Sequence, residues 1–131
     1  MLVKEIMKDV ITVSPEVTLK EAAKKMAKHN IGSLVVTSDG TSRGKLLGII
    51  TERNILECFS ESKSYGIKVK EIMSTNIKTI EATADIAEAA ALMAKHKIRR
   101  LPVVENKKLV GIITATDLIA NAEYLDEPFF F

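Results

Sequence analysis

Gly48-Ile49-Ile50-Thr51 and Gly111-Ile112-Ile113-Thr114 are one four-residue motif that occurs twice in the chain. Two further segments recur in the same order, and the spacing between the copies drifts by only a few residues. They are Val3-Lys4-Glu5-Ile6-Met7 with Val69-Lys70-Glu71-Ile72-Met73, and Met26-Ala27-Lys28-His29 with Met93-Ala94-Lys95-His96. A repeat that covers most of a chain indicates two copies of one supersecondary unit.

Each copy predicts the same succession of strand, helix, strand, strand and helix. The first helix carries apolar residues at i, i+3, i+4 and i+7, beginning at Leu19 in one copy and at Ile86 in the other. Thr18, followed three residues later by Glu21, predicts an N-cap with a capping box. The strands after this helix are rich in β-branched residues, which is typical of buried strands. The predicted strands are 10–13, 32–37, 45–50, 77–80, 100–104 and 109–113, and the predicted closing helices are 52–59 and 115–122.

The composition excludes several classes of protein. The chain has 131 residues, of which 47% are hydrophobic and 27% charged, as in ordinary globular domains. A net charge of +2 is small for a general nucleic-acid binder. No apolar run is long enough for a membrane span, and the single cysteine, Cys58, favours a cytoplasmic setting. Two histidines without ligand spacing predict no metal site, and an enzyme is the weakest hypothesis.

Three kinds of segment together resemble a known family. They are the recurring Val-Lys-Glu-Ile-Met, the strand 98–104 and the stretch 109–117. Each copy resembles a CBS motif, and the pair resembles a tandem CBS module, also called a Bateman module. The resemblance implies an α/β (α+β) fold of two βαββα repeats, packed sheet to sheet with pseudo-twofold symmetry. The implied boundaries are 1–66 for the first repeat and its linker, 67–123 for the second repeat, and 124–131 for an aromatic tail.

The resemblance also implies a ligand. Members of this family often bind AMP, ADP, ATP or S-adenosylmethionine in the cleft between the repeats. Their nucleotide pattern is Gly, two apolar residues, Thr or Ser, two variable residues and Asp, and residues 111–117 match it. An ionised carboxylate can accept hydrogen bonds from both hydroxyls of a ribose, which makes Asp117 the expected ribose ligand. Thr114 and Thr116 would face a phosphate, and Arg100 or Arg99 would pair with its oxygens.

In better-understood members the other copy supplies the pocket for the base. By position this pocket would contain Val13 and Ser14 ahead of the first helix, and Ile31, Gly32 and Ser33 at the start of the next strand. Backbone groups would read the adenine edge while Ile31 and Val13 pack on its face. Gly32 would allow the backbone to approach closely.

The first copy departs from this pattern because Asn54 stands where the carboxylate belongs. An asparagine side chain accepts and donates hydrogen bonds but has no charge. Arg53 could still hold a phosphate, with Thr51 beside it and Thr79 facing it from the other copy. The sequence therefore predicts one nucleoside site at Asp117 and a weaker or phosphate-only site at Asn54.

Structural roles remain open for the same residues. Asp117 also suits the first turn of a helix, Thr114 and Thr116 suit helix caps, and Arg99 and Arg100 suit a solvated surface. Two other functions remain open. One is a purely oligomerising module with empty clefts. The other is a nucleic-acid or polyanion binder that would use Arg53, Arg99, Arg100, Lys107 and Lys108.

The leading interpretation is a stand-alone regulatory module that senses an adenine nucleotide and signals in trans to an unknown protein partner. A homodimer is expected because one face of the second copy's first helix is too apolar for water. That face contains Ala87, Ala91, Leu92 and Ala94. The interface would also include Ile55, Phe59 and Ile119. The terminal residues Phe129–Phe131 are expected to cover an apolar patch.

Overall fold

The computed structural model describes residues 1–61 and 66–125. The chain forms two compact units. The first unit runs from Ile11 to Ile77, and the second unit combines Met1–Val10 with the chain from Lys78 onward. Each unit contains one three-stranded sheet together with helices, which confirms the mixed α and β architecture expected from the repeat.

Apart from a one-turn helix at Val3–Ile6, which the sequence does not predict, the elements follow one another in the predicted order in each repeat. In chain order they are α1 Val3–Ile6, β1 Thr12–Val13, α2 Leu19–His29, β2 Ser33–Thr37, β3 Leu46–Thr51, α3 Glu52–Ser60, β4 Ile80–Glu81, α4 Ile86–His96, β5 Arg100–Glu105, β6 Lys108–Thr114 and α5 Ala115–Ala120. Single 3₁₀ turns occupy Val69–Glu71 and Ala122–Tyr124.

The two sheets have the same topology. The strand orders are β1-β2-β3 and β4-β5-β6, with the first pair parallel and the second pair antiparallel in each sheet. Ser33 lies opposite Thr51 in the first unit, and Arg100 lies opposite Thr114 in the second. The end of each last strand, where a helix begins, therefore lies beside the start of the middle strand.

The predicted N-cap at Thr18 is confirmed, but the capping box is incomplete because Glu21 Oε1 accepts from the Thr18 hydroxyl at 3.3 Å instead of from its backbone N–H. Thr18 is the N-cap of α2, and its hydroxyl accepts the backbone N–H of Glu21 at 3.2 Å. Both long helices end at the histidine of the recurring segment. The next residue, Asn30 or Lys97, has a left-handed backbone with φ of 52° or 54°. This conformation is a common way to end a helix because it satisfies carbonyls of the last turn.

Each unit has its own core of aliphatic side chains. Leu34 and Ile50 are fully buried in the first unit, and Leu101 and Ile113 are fully buried in the second. Complete burial of such a side chain stabilises a fold by about 1.5–3 kcal/mol. Cys58 belongs to the first core, as its apolar surroundings in the sequence indicate.

The compact units divide the chain differently from the sequence repeats. Residues 1–10, here called the first leading segment, belong to the second unit. The Val3 N–H donates to the Ala84 carbonyl at 2.8 Å. Lys8 exchanges two backbone hydrogen bonds with Ile112, at 2.9 and 3.0 Å. The chain before the first repeat's strands thus pairs with the free edge of β6. The repeat boundary at residues 66 and 67 stays a prediction.

The second leading segment, residues 67–77, makes equivalent contacts in the first unit. The Val69 N–H donates to the Val17 carbonyl at 2.8 Å. Ser74 exchanges two backbone hydrogen bonds with Ile49, at 2.9 and 3.0 Å. The recurring Val-Lys-Glu-Ile-Met therefore has one structural role, performed once in each unit.

The glycine of the recurring Gly-Ile-Ile-Thr motif lies where a leading segment crosses the last strand. A Cβ atom at Gly111 would lie 2.7 Å from Met7 Sδ and 2.9 Å from the Lys8 carbonyl oxygen. A Cβ atom at Gly48 would lie 2.7 Å from the Ser74 carbonyl oxygen. Only a residue without a side chain allows the two backbones to pair this closely.

The first strand of each sheet was predicted too long and, in the second repeat, too early. The alternating stretches 10–13 and 77–80 predict four-residue strands, whereas the sheets contain only Thr12–Val13 and Ile80–Glu81. A strand needs a paired neighbour, and only these residues pair with β2 or β5. The closing helix predicted to reach residue 122 ends at Ala120, because a 3₁₀ turn follows.

The linker residues 62–65 and the terminal residues 126–131, which include Phe129–Phe131, lie outside the described part of the chain. Across residues 1–61 and 66–125, none of the helices is both long enough and apolar enough to cross a lipid bilayer.

Gly111→Ala is expected to lower the free energy of unfolding by about 1–3 kcal/mol, because the new methyl group overlaps the backbone of Lys8. Urea denaturation measures this change. Thr83→Ala, at an exposed position, is the control and should change stability by less than about 0.5 kcal/mol. A Gly111→Ala protein as stable as the wild type would contradict the crossing of the leading segment over β6.

An exposed ion-pair cluster fixes the second leading segment to the turn before α2. The Glu16 carboxylate accepts hydrogen bonds from Lys68 Nζ and Lys70 Nζ, both at 2.8 Å. These two ammonium groups lower the pKa of Glu16 from 4.5 to about 2. The cluster therefore stabilises the fold fully above the unfolded-state pKa, and this contribution is lost as the pH falls toward 2.

Glu16→Gln should consequently flatten the dependence of stability on pH between about 4.5 and 2, because the titrating group is removed. Urea midpoints measured across this pH range test the expectation. Glu88→Gln, which removes an exposed acid from α4, is the matched control. Equal pH slopes in wild type and Glu16→Gln would show that the cluster contributes nothing to folding.

Candidate ligand site at the start of the last helix

The site begins with a reciprocal cap at the junction of β6 and α5. Thr114 is the N-cap residue, and its hydroxyl accepts the backbone N–H of Asp117 at 3.2 Å. In return, Asp117 Oδ2 accepts the Thr114 N–H at 2.9 Å and the Thr114 hydroxyl at 3.0 Å. Asp117 is only 8% exposed. One of its oxygens is thus fixed by the local backbone.

The other carboxylate oxygen faces a cation from the first leading segment. Lys8 Nζ lies 4.0 Å from Asp117 Oδ1, a distance too long for a hydrogen bond. The backbone pairing of Lys8 with Ile112 brings it to this position. No residue pattern indicated Lys8, because more than a hundred residues separate it from Asp117 in the chain. The sequence marks Lys8 only as the residue directly after a recurring segment.

The two arginines predicted for a phosphate lie beside the same junction. Arg100 is the first residue of β5 and pairs across the strands with Thr114. The Arg99 carbonyl accepts the Ala115 N–H at 2.8 Å, which fixes the start of α5 to the start of β5. Arg99 is exposed, whereas Arg100 is half-buried. The second unit therefore brings Thr114, Asp117 and Arg100 together.

The two predicted threonines differ in their surroundings. The Thr114 hydroxyl is engaged in the cap through both a donated and an accepted hydrogen bond, so its capping role is the one observed. Thr116 is exposed in the first turn of α5 and is not the cap. Thr79 is exposed and directly precedes β4, so it belongs to the second unit.

The first unit has the same cap at the junction of β3 and α3. Thr51 Oγ1 accepts the Asn54 N–H at 3.2 Å, and Asn54 Oδ1 accepts the Thr51 N–H and hydroxyl, both at 2.9 Å. These bonds assign the amide oxygen to the cap. The atom in the position of Asp117 Oδ1 is therefore the amide nitrogen of Asn54, which donates hydrogen bonds and accepts none.

The surroundings of Asn54 also differ from those of Asp117. Ser74 occupies the position on the second leading segment that Lys8 occupies on the first, paired with Ile49. Arg53, predicted to hold a phosphate, is exposed, and its Nε donates to Glu57 Oε1 at 2.9 Å along the same helix. At these two positions the first junction therefore has neutral side chains, where the second junction has a carboxylate and an ammonium group.

The residues predicted to form a base pocket lie at two ends of the first sheet. Ser33 lies opposite Thr51, and the Gly32 carbonyl accepts the Glu52 N–H at 3.0 Å. Val13, in contrast, pairs with Val36, and Ser14 lies against Gly40 in the hairpin loop. Three residues of strand, about 10 Å, separate these two places. The structure therefore does not bring Val13 and Ser14 together with Ile31, Gly32 and Ser33.

A groove of about 440 Å³ lies between α2 and α3 of the first unit. Its apolar lining includes Met26, Ile31, Ile55 and Leu56, and Glu52 adds a carboxylate at its edge. Ile31 and Gly32 thus border an apolar groove. Within the described residues, no cluster of three or more His, Cys, Asp or Glu side chains could hold a metal ion.

The protein-family comparison identifies the repeats. The model of the CBS domain matches residues 3–61 and again residues 69–123, so the chain belongs to the CBS-domain family as a tandem pair. A relative in Bacillus subtilis, the CBS domain-containing protein YhcV, is 39% identical over 113 residues. This match covers 86% of the present chain and 78% of the relative.

Solved structures of similar CBS pairs contain adenosine compounds. The CBS-domain pair of the protein MJ0100, in complex with 5′-methylthioadenosine and S-adenosyl-L-methionine, superposes with a TM-score of 0.81 at 30% identity. The alignment covers 94% of this chain and 96% of that one. CBSX2 in complex with AMP superposes with a TM-score of 0.80 at 26% identity, over 93% and 96% of the two chains.

Proposed function

We propose that this protein is a regulatory module that binds an adenosine derivative at the junction of β6 and α5. The observation that carries the proposal is the Asp117 carboxylate. Thr114 holds Oδ2 with two hydrogen bonds, and Oδ1 is not bonded by the cap. An ionised oxygen held in this way can accept hydrogen bonds from the vicinal hydroxyls of a ribose.

The complexes of similar CBS pairs with S-adenosylmethionine, 5′-methylthioadenosine and AMP support the choice of ligand class. All three compounds share adenine and a ribose diol. Arg100, beside Thr114, supplies positive charge for a ligand that carries phosphate. Contacts of the adenine with Ile31, Gly32 and Ser33 stay a prediction from the family resemblance.

The junction at Asn54 is proposed as the weaker site. Its cap places an amide nitrogen where the second unit has a carboxylate oxygen. A ribose hydroxyl can donate to the carboxylate but not to that nitrogen. Ligands with a ribose diol should therefore occupy the second unit first.

The polyanion hypothesis is disfavoured by where the basic residues lie in the second unit. Arg100 pairs with Thr114 at one end of the β5–β6 hairpin, and Lys108 pairs with Glu105 at the other. Five residues of strand, about 17 Å, separate the two ends. The basic side chains near Lys108 thus do not extend the surface of Arg99 and Arg100 into one patch.

Signalling in trans would follow from linkage. Suppose that a protein partner binds the liganded module more tightly than the empty module by some factor. Binding of the partner must then raise the module's affinity for the ligand by the same factor. We propose that the module acts in this way on a protein of unknown identity. In this proposal the module catalyses no reaction. Ligand binding alone shifts the equilibrium between the state that the partner prefers and the state that it does not.

Asp117→Asn should weaken binding of AMP by at least about tenfold, because the oxygen that accepts from the ribose becomes an amide donor. Isothermal titration calorimetry with AMP, ADP, ATP and S-adenosylmethionine measures the effect. The variant reproduces the Thr51–Asn54 cap of the first unit, so its stability should stay within about 0.5 kcal/mol of wild type.

Asn54→Asp is the matched reverse variant, and it should strengthen binding at the first unit. The proposal is wrong if the wild-type protein binds none of the four compounds, or if Asp117→Asn binds them unchanged.

We also propose that the protein forms a homodimer. Ile119 on α5 is 74% exposed and Leu56 on α3 is 66% exposed, which is unusual for large aliphatic side chains. Phe59 and Ala91 are exposed as well. Ile55, in contrast, is buried in its own core, so its predicted place in a dimer interface is corrected.

Light scattering should therefore give a mass of about twice 14.4 kDa at micromolar concentration. Leu56→Glu should shift the mass toward that of the single chain, because a charge cannot be buried in an apolar interface without a partner. Lys45→Glu, at an exposed position on the hairpin, is the control. A wild-type mass near 14.4 kDa would refute the dimer.

A further inference from the structure

Lys8 lies beside the proposed ligand site of the second unit but so far has no role in it. Its backbone is fixed by two hydrogen bonds to Ile112, so the origin of its side chain is set by the sheet. Its ammonium group faces Oδ1 of Asp117, the oxygen assigned to the ribose. A ligand bound to this oxygen therefore lies beside a cation whose backbone position is fixed.

The Lys8 ammonium is not committed to Asp117. The separation of 4.0 Å exceeds hydrogen-bond length, and the lysine side chain is 72% exposed. An exposed ion pair of this kind is weak, and the flexible stem of a lysine can redirect its charge at little cost. A stronger anion close to Asp117 would take the ammonium as its own partner.

The first unit provides an internal comparison. The same backbone geometry there carries Asn54 and Ser74, which are both neutral. The cap distances in the two units agree within 0.1 Å between matching bonds, so the backbone geometry does not require charge at this place. The Asp117–Lys8 pair therefore adds a chemical property to the second junction that folding does not demand.

We propose that Lys8 makes the second unit selective for nucleoside 5′-phosphates. In this inference, which rests on the proposed function, Asp117 accepts the ribose hydroxyls while Lys8 donates to the 5′-phosphate of the same nucleotide. Arg100, on the neighbouring strand, adds charge of the same sign. A ligand with a cationic sulfonium at the 5′ position, such as S-adenosylmethionine, meets repulsion at this place instead.

The test compares ligands that differ only at the 5′ position. Adenosine and 5′-methylthioadenosine are neutral there, AMP is anionic and S-adenosylmethionine is cationic. Lys8→Ser gives the second unit the residue that the first unit has at Ser74, and the backbone pairing with Ile112 does not depend on the side chain. Lys4→Ser, at an exposed position on the same leading segment, is the matched control.

Calorimetric titration should show that Lys8→Ser weakens the binding of AMP by about tenfold. The affinities for adenosine and 5′-methylthioadenosine should change by less than about twofold. S-adenosylmethionine should bind the variant equally well or more tightly. The salt dependence of AMP binding should also become shallower. Lys4→Ser should bind all four compounds like the wild type.

Two other outcomes would overturn the inference in distinguishable ways. If Lys8→Ser weakens the binding of AMP and of adenosine equally, or leaves both unchanged, then Lys8 does not select for phosphate. The proposed function survives this outcome. If the wild-type protein binds neither AMP nor adenosine, the proposed function fails together with this inference.

Discussion

A reciprocal cap between two residues three apart determines the geometry of both candidate sites. A threonine at the end of the last strand accepts the N–H of the residue at the third helical position, and that residue's side chain accepts two hydrogen bonds in return. The cap satisfies donors that a helix start would otherwise leave unpaired. It also fixes the rotamer of Asp117 or Asn54, so the second polar atom of each points in a defined direction.

The leading segments add what this local motif cannot provide. Each one pairs with the middle of a last strand, and the strand has a glycine where the two backbones meet. This pairing covers one edge of the short sheet with backbone from a distant part of the chain. In the second unit it also brings Lys8 to Asp117. One structural contact therefore contributes to stability and to the charge of the site.

Much of the fold follows from short-range patterns in the sequence. The helical periodicity from Leu19 and Ile86 and the Thr18 cap depend on residues close in the chain, and the structure confirms them. The strands expected to be buried are so only in part, because β2 is buried throughout whereas buried and half-buried residues alternate along β3 and β6. Strand ends depend on which residues find a paired neighbour, so the predicted bounds 10–13 and 77–80 are wrong although a strand exists at each place. Val13 and Ser14 were placed with Gly32 by position in a motif, although the parallel register of β1 and β2 separates them.

The role of Asp117 as a capping residue and its role as a ribose ligand were opposed interpretations of one pattern, but they do not compete. The cap uses Oδ2 only, and Asn54 shows that an amide oxygen makes the same bonds at the same distances to within 0.1 Å. Asp117 is 8% exposed, and a carboxylate costs more to remove from water than an amide does. The cap itself therefore does not require this charge, and the oxygen that the cap leaves unbonded is the atom that the proposed ribose ligand would use.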